Sequence, residues 1–155
     1  MAMTGQNTGD YAVANDAARW NACKKAITYV AGTTGAIATA TLFTVTGTVR
    51  VKMIARCTAT LTSGGAATIE VGTTINTAGL LPQVANATTI AVDEIWHMGD
   101  GTVDSSVELE SAGMLTKLVS TDIKQKIAAF TITGGSLEYY VLWQPISPDG
   151  TVVAA

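Results

Sequence analysis

The sequence predicts an all-β protein: an antiparallel β-sandwich, jelly-roll-like, with an N-terminal arm. Three observations predict it. Between Thr48 and Leu61 the odd positions Val49, Val51, Met53, Ala55, Cys57, Ala59 and Leu61 are all apolar, and of the even positions only Ile54 is not polar. A two-residue period over that length puts one face of a strand in a core and the other in water, whereas a helix would scatter these residues around its axis. Thr, Val and Ile, which suit a pleated and half-buried surface, are abundant beside 15 Gly that supply turns. The remaining apolar runs are short and bounded by Gly, Pro, Asn or Asp, which gives about eight strands in all.

Residues 1–24 read as the arm. Met1 to Asp10 is small and polar without a period, and Tyr11 to Ala26 is Ala-rich, with a short helix as its expected form. An arm that embraces a neighbouring subunit is the alternative. The sandwich is expected over residues 25–146, with strands at Ala26–Ala31, Thr39–Thr46, Thr48–Leu61, Thr68–Gly72, Thr88–Val92, Met114–Ser120 and Leu137–Trp143. Two hairpins follow from phase. A two-residue loop at Gly134-Gly135 sets Ile132 against Leu137 and Phe130 against Tyr139, and the glycines supply the positive φ of a type I′ turn. A three-residue loop, Ser63 to Gly65 with Gly65 at positive φ, sets Leu61 against Ala67 and Ala59 against Ile69. Residues 98–112 are expected to form an acidic loop, and residues 147–155 a C-terminal tail with a turn at Asp149-Gly150.

A chain of 155 residues has the length of one domain. It buries roughly 70% of its unfolded surface and so needs no disulfide or metal to hold a core. Charged residues make up 14% of the chain, against about 25% in ordinary soluble domains. So few charges suit either a surface hidden against other subunits or a Thr-coated β-domain. The net charge of −3 argues against binding a nucleic-acid backbone. No run of about 20 apolar residues predicts a membrane span, and the N-terminus lacks the basic and apolar regions of a secretory signal. The expected origin is therefore a cytoplasm. Cys23 and Cys57 are expected as reduced thiols, one of them buried.

No catalytic constellation is apparent. His97 is the only histidine, no Gly-x-Ser-x-Gly elbow is present, and neither cysteine lies in a nucleophile motif. Within Glu94-Ile-Trp-His-Met98 the expected arrangement is Trp96 inward and His97 at the rim. His97, Asp100 and Asp104 make a conceivable metal set, but no metal-binding spacing supports it. Asp93-Glu94 and Glu108/Glu110 are carboxylate pairs of the kind glycosidases use; the first pair points to opposite faces of a strand and the second reads as solvated. No cofactor and no metal are expected. On the polar face of the long strand, Arg50, Lys52 and Arg56 form a basic ridge. It is expected either to pair with Glu70 and Glu138 on neighbouring strands or to meet an acidic partner, where it would help register and association rate more than affinity.

Several stretches resemble small virion proteins of tailed bacteriophages that accompany the major capsid protein. They are Tyr29-Val-Ala-Gly-Thr-Thr-Gly-Ala36, Thr41-Leu-Phe-Thr-Val-Thr-Gly47, Glu70-Val-Gly72, Glu94-Ile-Trp-His97 and Tyr140-Val-Leu-Trp-Gln-Pro-Ile-Ser-Pro-Asp-Gly150. The resemblance spans residues 29–150 and leaves the arm outside it. It implies a head decoration or cement protein: a non-enzymatic, jelly-roll-like subunit, commonly trimeric, that sits on the virion surface and clamps neighbouring capsid subunits. The competing reading is a receptor- or carbohydrate-binding β-module of a phage tail or fibre, with Trp96, Trp143, Tyr139 and Tyr140 as a stacking platform. A hydrolase is the third.

Overall fold

The computed structural model describes residues 19–103, 105–107 and 113–155. Among them lie ten strands: β1 (Asn21–Thr28), β2 (Thr39–Thr46), β3 (Val49–Ser63), β4 (Thr68–Gly72), β5 (Leu81–Val84), β6 (Ile95–His97), β7 (Lys117–Val119), β8 (Ile123–Ala128), β9 (Ile132–Pro145) and β10 (Thr151–Ala154). All pair antiparallel in two sheets. Sheet I has the order β1-β9-β3-β6, with β7 also on β3, and sheet II has the order β10-β2-β8-β4-β5. The chain changes sheet at nearly every connection, so most sequence neighbours pack face to face instead of pairing. At one side of the sandwich β1 lies beside β10, and at the other β5 lies beside β6. There the Trp96 indole donates to the Pro82 carbonyl at 3.0 Å and ties one sheet to the other.

The long alternating segment is β3, and Val49, Val51, Met53, Ala55, Cys57 and Leu61 are buried as the two-residue period requires. Ala59 is exposed, because beyond Cys57 the register with β9 slips repeatedly. Facing this layer are Phe43 from β2, Ile69 and Val71 from β4 and Ile123 and Ile127 from β8. Each such side chain contributes about 1.5–3 kcal/mol by leaving water. Leu42 and Phe43 are both buried although adjacent, and a register shift between Thr41 and Phe43 accompanies this. One polar cluster crosses the core. The Tyr29 and Tyr139 hydroxyls lie 2.6 and 2.7 Å from Gln125 Oε1 and 2.8 Å from each other. Burial holds both phenols protonated, above the ordinary tyrosine range.

Both predicted hairpins are absent. The Gly134-Gly135 pair lies inside β9, which runs unbroken from Ile132 to Pro145. Gly135 has φ +96°, and a Cβ there would stand 2.5 Å from the Thr60 carbonyl oxygen and 2.7 Å from Leu61 Cα. The glycine therefore serves the close approach of a bulge in β3 and not a turn. Leu137 pairs with Cys57 and Ile27 instead of Ile132. The chain turns earlier, at Ala129, whose φ of +64° carries it from sheet II to sheet I. Likewise β3 ends at Ser63 in one sheet and β4 begins at Thr68 in the other, where Ile69 meets Ile127 and Val84. Gly65 is absent from the positive-φ residues; its missing Cβ makes room for the Phe130 ring.

Other boundaries move. β1 begins at Asn21, inside the segment assigned to the arm, with Cys23 and Ile27 packed against the core. The Ala-rich run thus ends as strand; the rest of the expected arm and helix, residues 1–18, lies outside the described residues. The tail 147–155 supplies β10, which pairs with β2. Residues 88–92 form no strand: Ala87–Thr89 is a 3₁₀ turn capped by the Asn86 side chain. Of 114–120 only Lys117–Val119 pairs.

Candidate functional site

The basic ridge lies on the outer face of sheet I, because the odd positions of β3 turn inward. Register sets its neighbours. Arg50 stands between Gln144 of β9 and Leu118 of β7, and Lys52 beside Leu142. Ile54 lies between Tyr140 and His97, and Arg56 between Glu138 and Ile95. β1 adds Lys24 beside Tyr140 and Ala26 beside Glu138. The face therefore alternates cations with aliphatic and aromatic side chains.

The three ridge residues differ in their surroundings. Arg56 Nη2 donates to Asp93 Oδ1 at 2.7 Å, and this bond raises the guanidinium pKa further above its ordinary value. Asp93 holds its carboxylate there from a loop residue at φ +70°. Glu138, one of the two carboxylates expected to pair with the ridge, is instead taken by Lys24 Nζ at 2.5 Å and by the Tyr140 hydroxyl at 2.5 Å. The Lys24 bond, and then the Tyr140 bond, lower the Glu138 pKa, and Lys24 is raised in return. The ammonium of Lys52 stands 5.4 Å from the centre of the Trp20 ring, a cation–π contact. Arg50 has no ion-pair partner among the described residues. Glu70, the other expected partner, belongs to sheet II and binds Lys126. Trp20 is 36% exposed and Leu118 70% exposed. Sequence reasoning missed both. A lone Trp in an Ala-rich run and a Leu in a three-residue strand carry no periodic signal.

The other candidate sites come apart. Trp96 and Tyr139 are fully buried and Trp143 packs against the core, so the four aromatic residues named for sugar stacking form no platform. His97 is buried rather than at the rim, and its Nδ1 accepts the Gly99 N–H at 3.0 Å. Asp100 Oδ1 accepts from the Thr102 N–H at 2.9 Å and from its hydroxyl, forming a local turn. Asp104, the third member of the conceivable metal set, lies outside the described residues, as do Glu108 and Glu110. No group of three metal-ligating side chains occurs among the described residues. Glu94 Oε2 accepts from the Ala91 N–H at 2.7 Å while Asp93 holds Arg56, so that pair converges on no common point. Cys23 and Cys57 are both free thiols, and burial pushes Cys57 up to about 11, far from a reactive thiolate.

No family model matches the chain. No curated protein matches it. Two solved structures are similar to it. One is a chain of the acidic stable capsid structure of Helicobacter pylori bacteriophage KHP30, 12% identical, with a TM-score of 0.37, covering 85% of this chain and 99% of that one. The other is a chain of the cyanophage Pam1 capsid asymmetric unit, 17% identical, with a TM-score of 0.32, covering 81% of this chain and 83% of that one.

Proposed function

We propose that this protein is a non-enzymatic virion component of the decoration or cement type, which binds an assembled bacteriophage capsid at its surface and stabilises it. The observation that carries this reading is the outer face of sheet I, where exposed apolar side chains, Leu118 and Trp20, stand among cations on a sandwich whose two long sides are covered. Tight and specific protein interfaces combine these same elements, an apolar centre with Trp and Arg among its anchors and a polar rim. The strand order supports the jelly-roll form of the sandwich: β1-β9-β3-β6 opposite β2-β8-β4-β5 is the winding of two Greek keys, with β10 added beside β2. A subunit that binds the assembled shell and not free capsid protein shifts assembly by mass action, and small increments add over many sites. The major capsid protein is the proposed partner, and a homotrimer the proposed assembly.

Cosedimentation tests the reading. The protein is expected to pellet with assembled capsids, to remain in the supernatant with unassembled capsid protein, and to raise the temperature at which the shell releases its contents. Equal binding to assembled and unassembled capsid protein, or unaltered shell stability at saturation, contradicts it.

A further inference from the structure

We infer that the end of the sandwich built by residues 29–38, 64–67, 85–92 and 129–131 is a self-association surface, where copies of this chain meet around a symmetry axis. The inference deepens the proposed homotrimer, and it rests on that reading for the number of copies alone.

These four segments lead from β1 to β2, from β3 to β4, from β5 toward β6 and from β8 to β9, and they contain no Asp, Glu, Lys, Arg or His. Backbone bonds join them into one layer. The Tyr29 N–H donates to the Gly135 carbonyl and the Ile132 N–H to that of Gly35, each at 2.9 Å, and the Ala87 N–H donates to the Ala67 carbonyl at 2.7 Å. The hydroxyls are engaged in the same way. Thr33 donates to the Val30 carbonyl at 3.2 Å, Thr34 to the Thr28 carbonyl at 2.7 Å and Thr89 to the Asn86 carbonyl at 2.8 Å. Covering this end therefore strips water from donors that already have partners, which costs little. What it removes from water is apolar: Val30, Ile37 and Phe130 are each about half exposed. The Phe130 ring is held in place, since it fills the space that a Cβ on Gly65 would take, 2.6 Å away. A fixed aromatic ring among small uncharged side chains has the composition of an interface centre, and loops already ordered by their own bonds lose little entropy on docking.

The occupant follows from charge. The opposite end of the sandwich carries Asp122 and Asp149, and both outer faces carry ions, Lys24 and Arg56 on sheet I and Glu70 and Lys126 on sheet II. Two copies joined through either face or through that end set like charge against like, on a chain whose net charge is −3. Joined through the uncharged end they do not. A threonine hydroxyl can also donate to or accept from its own kind, as Thr62 and Thr133 do at 3.1 Å across two strands, whereas a carboxylate or an ammonium cannot. A surface of methyl and hydroxyl groups is therefore complementary to itself, which a symmetric contact requires. A partner bearing ions would lose their hydration opposite groups unable to pair them.

The test uses the full chain. Sedimentation velocity over a concentration series is expected to give a multiple of the chain mass, undiminished by salt, because the contact holds no ion pair. Hydrogen exchange, compared between concentrated and dilute protein, is expected to slow at residues 29–38, 64–67 and 129–131. Val30→Lys with Ile37→Lys sets cations against cations and is expected to weaken association by about tenfold or more, with the circular dichroism of the sheets retained. Leu118→Lys, on the outer face of sheet I, is expected to leave the mass unchanged. A chain monomeric at every concentration overturns the inference, as does an oligomer that salt or Leu118→Lys dissociates. Slowed exchange at another face overturns it too, and so does slowing at this end only when capsids are added, which would identify the shell as its occupant. The exchange comparison is made on the parent, so it decides the matter even if the double variant does not fold. Capsid cosedimentation separates the two readings. A self-associating parent that does not pellet with capsids removes the virion reading and keeps the surface. A parent that pellets but associates through another face, or not at all, removes the surface and keeps the virion reading.

Discussion

The two sheets treat the charges on their outer faces in opposite ways. On sheet II, Glu70 is only 5% exposed, and its carboxylate accepts Gln83 Nε2 at 2.8 Å and Lys126 Nζ at 3.1 Å, with Thr77 bonding it as well. β4, β5, β8 and the β4–β5 connection are thereby tied through one side chain. On sheet I no bonded carboxylate among the described residues is as deeply buried: Glu138 is 21% and Asp93 62% exposed, and their partners Lys24 and Arg56 are each 49% exposed, against 41% for Lys126 on sheet II. Water competes for such pairs and salt screens them, so they add little to stability. Removing a buried acceptor such as Glu70 leaves its donors without their partner, and the loss is larger. The lesson is that similar Lys, Arg and Glu side chains hold the fold on one sheet and leave the other sheet's face available for something else.

Substitutions should rank accordingly, with the shared interior above both faces. Gly135→Val is expected to destabilise the fold by about 3 kcal/mol or more, since a β-branched residue resists positive φ and its Cβ would meet the Thr60 carbonyl. An unchanged urea midpoint would mean that β9 does not run through this bulge. Next comes Glu70→Ala, expected to cost about 2 kcal/mol because it leaves Gln83 and Lys126 without their acceptor. Equal stability of this variant would erase the contrast between the faces.

The same contrast can be read from pH. Burial alone would raise the Glu70 pKa, but the bonds from Thr77, Lys126 and Gln83 outweigh it and lower the value below 4.5. A carboxylate whose folded pKa lies below its unfolded one stabilises the protein fully above the unfolded value, and that stabilisation is lost as pH falls through the folded pKa. The parent's melting temperature should therefore fall more steeply than that of Glu70→Gln as pH drops below about 4.5. Parallel acid limbs would contradict the assignment. The smallest effects belong to sheet I: Arg56→Gln, and Arg50→Gln with Lys52→Gln, are each expected to leave the melting temperature essentially where it was. A clear drop would show that these cations support the fold.

The parts of this architecture legible in the sequence were those governed by side-chain period. β3 as far as Cys57, and β4, carry their own alternation, and the inward face follows from it; β2 breaks it at Leu42 and Phe43, which are both buried. Pairing was not legible in the same way. An apolar phase fits several partners equally well, and a Gly pair is read as a turn when its service is to let two backbones approach. Gly135 against Thr60 and Gly65 against Phe130 are both of that kind. Only the end of β1 was legible, within the expected strand Ala26–Ala31; its first half was hidden because Ala carries no preference for inward or outward and Cys23 is the one inward marker there. The ridge at Arg50, Lys52 and Arg56 was legible as a row of cations. Its division was not, because Asp93 reaches Arg56 from a loop and Trp20 reaches Lys52 from beyond the end of β1.

The proposed function has this sandwich dock on a phage shell through the outer face of sheet I. Electron cryomicroscopy of capsids saturated with the protein addresses it most directly. Sandwich density is expected on the shell exterior, with the outer face of sheet I, including Trp20, Arg50 and Leu118, against the capsid subunit. Density that presents the Glu70 face of sheet II to the shell and leaves sheet I in solvent, or capsids that remain bare, would contradict it.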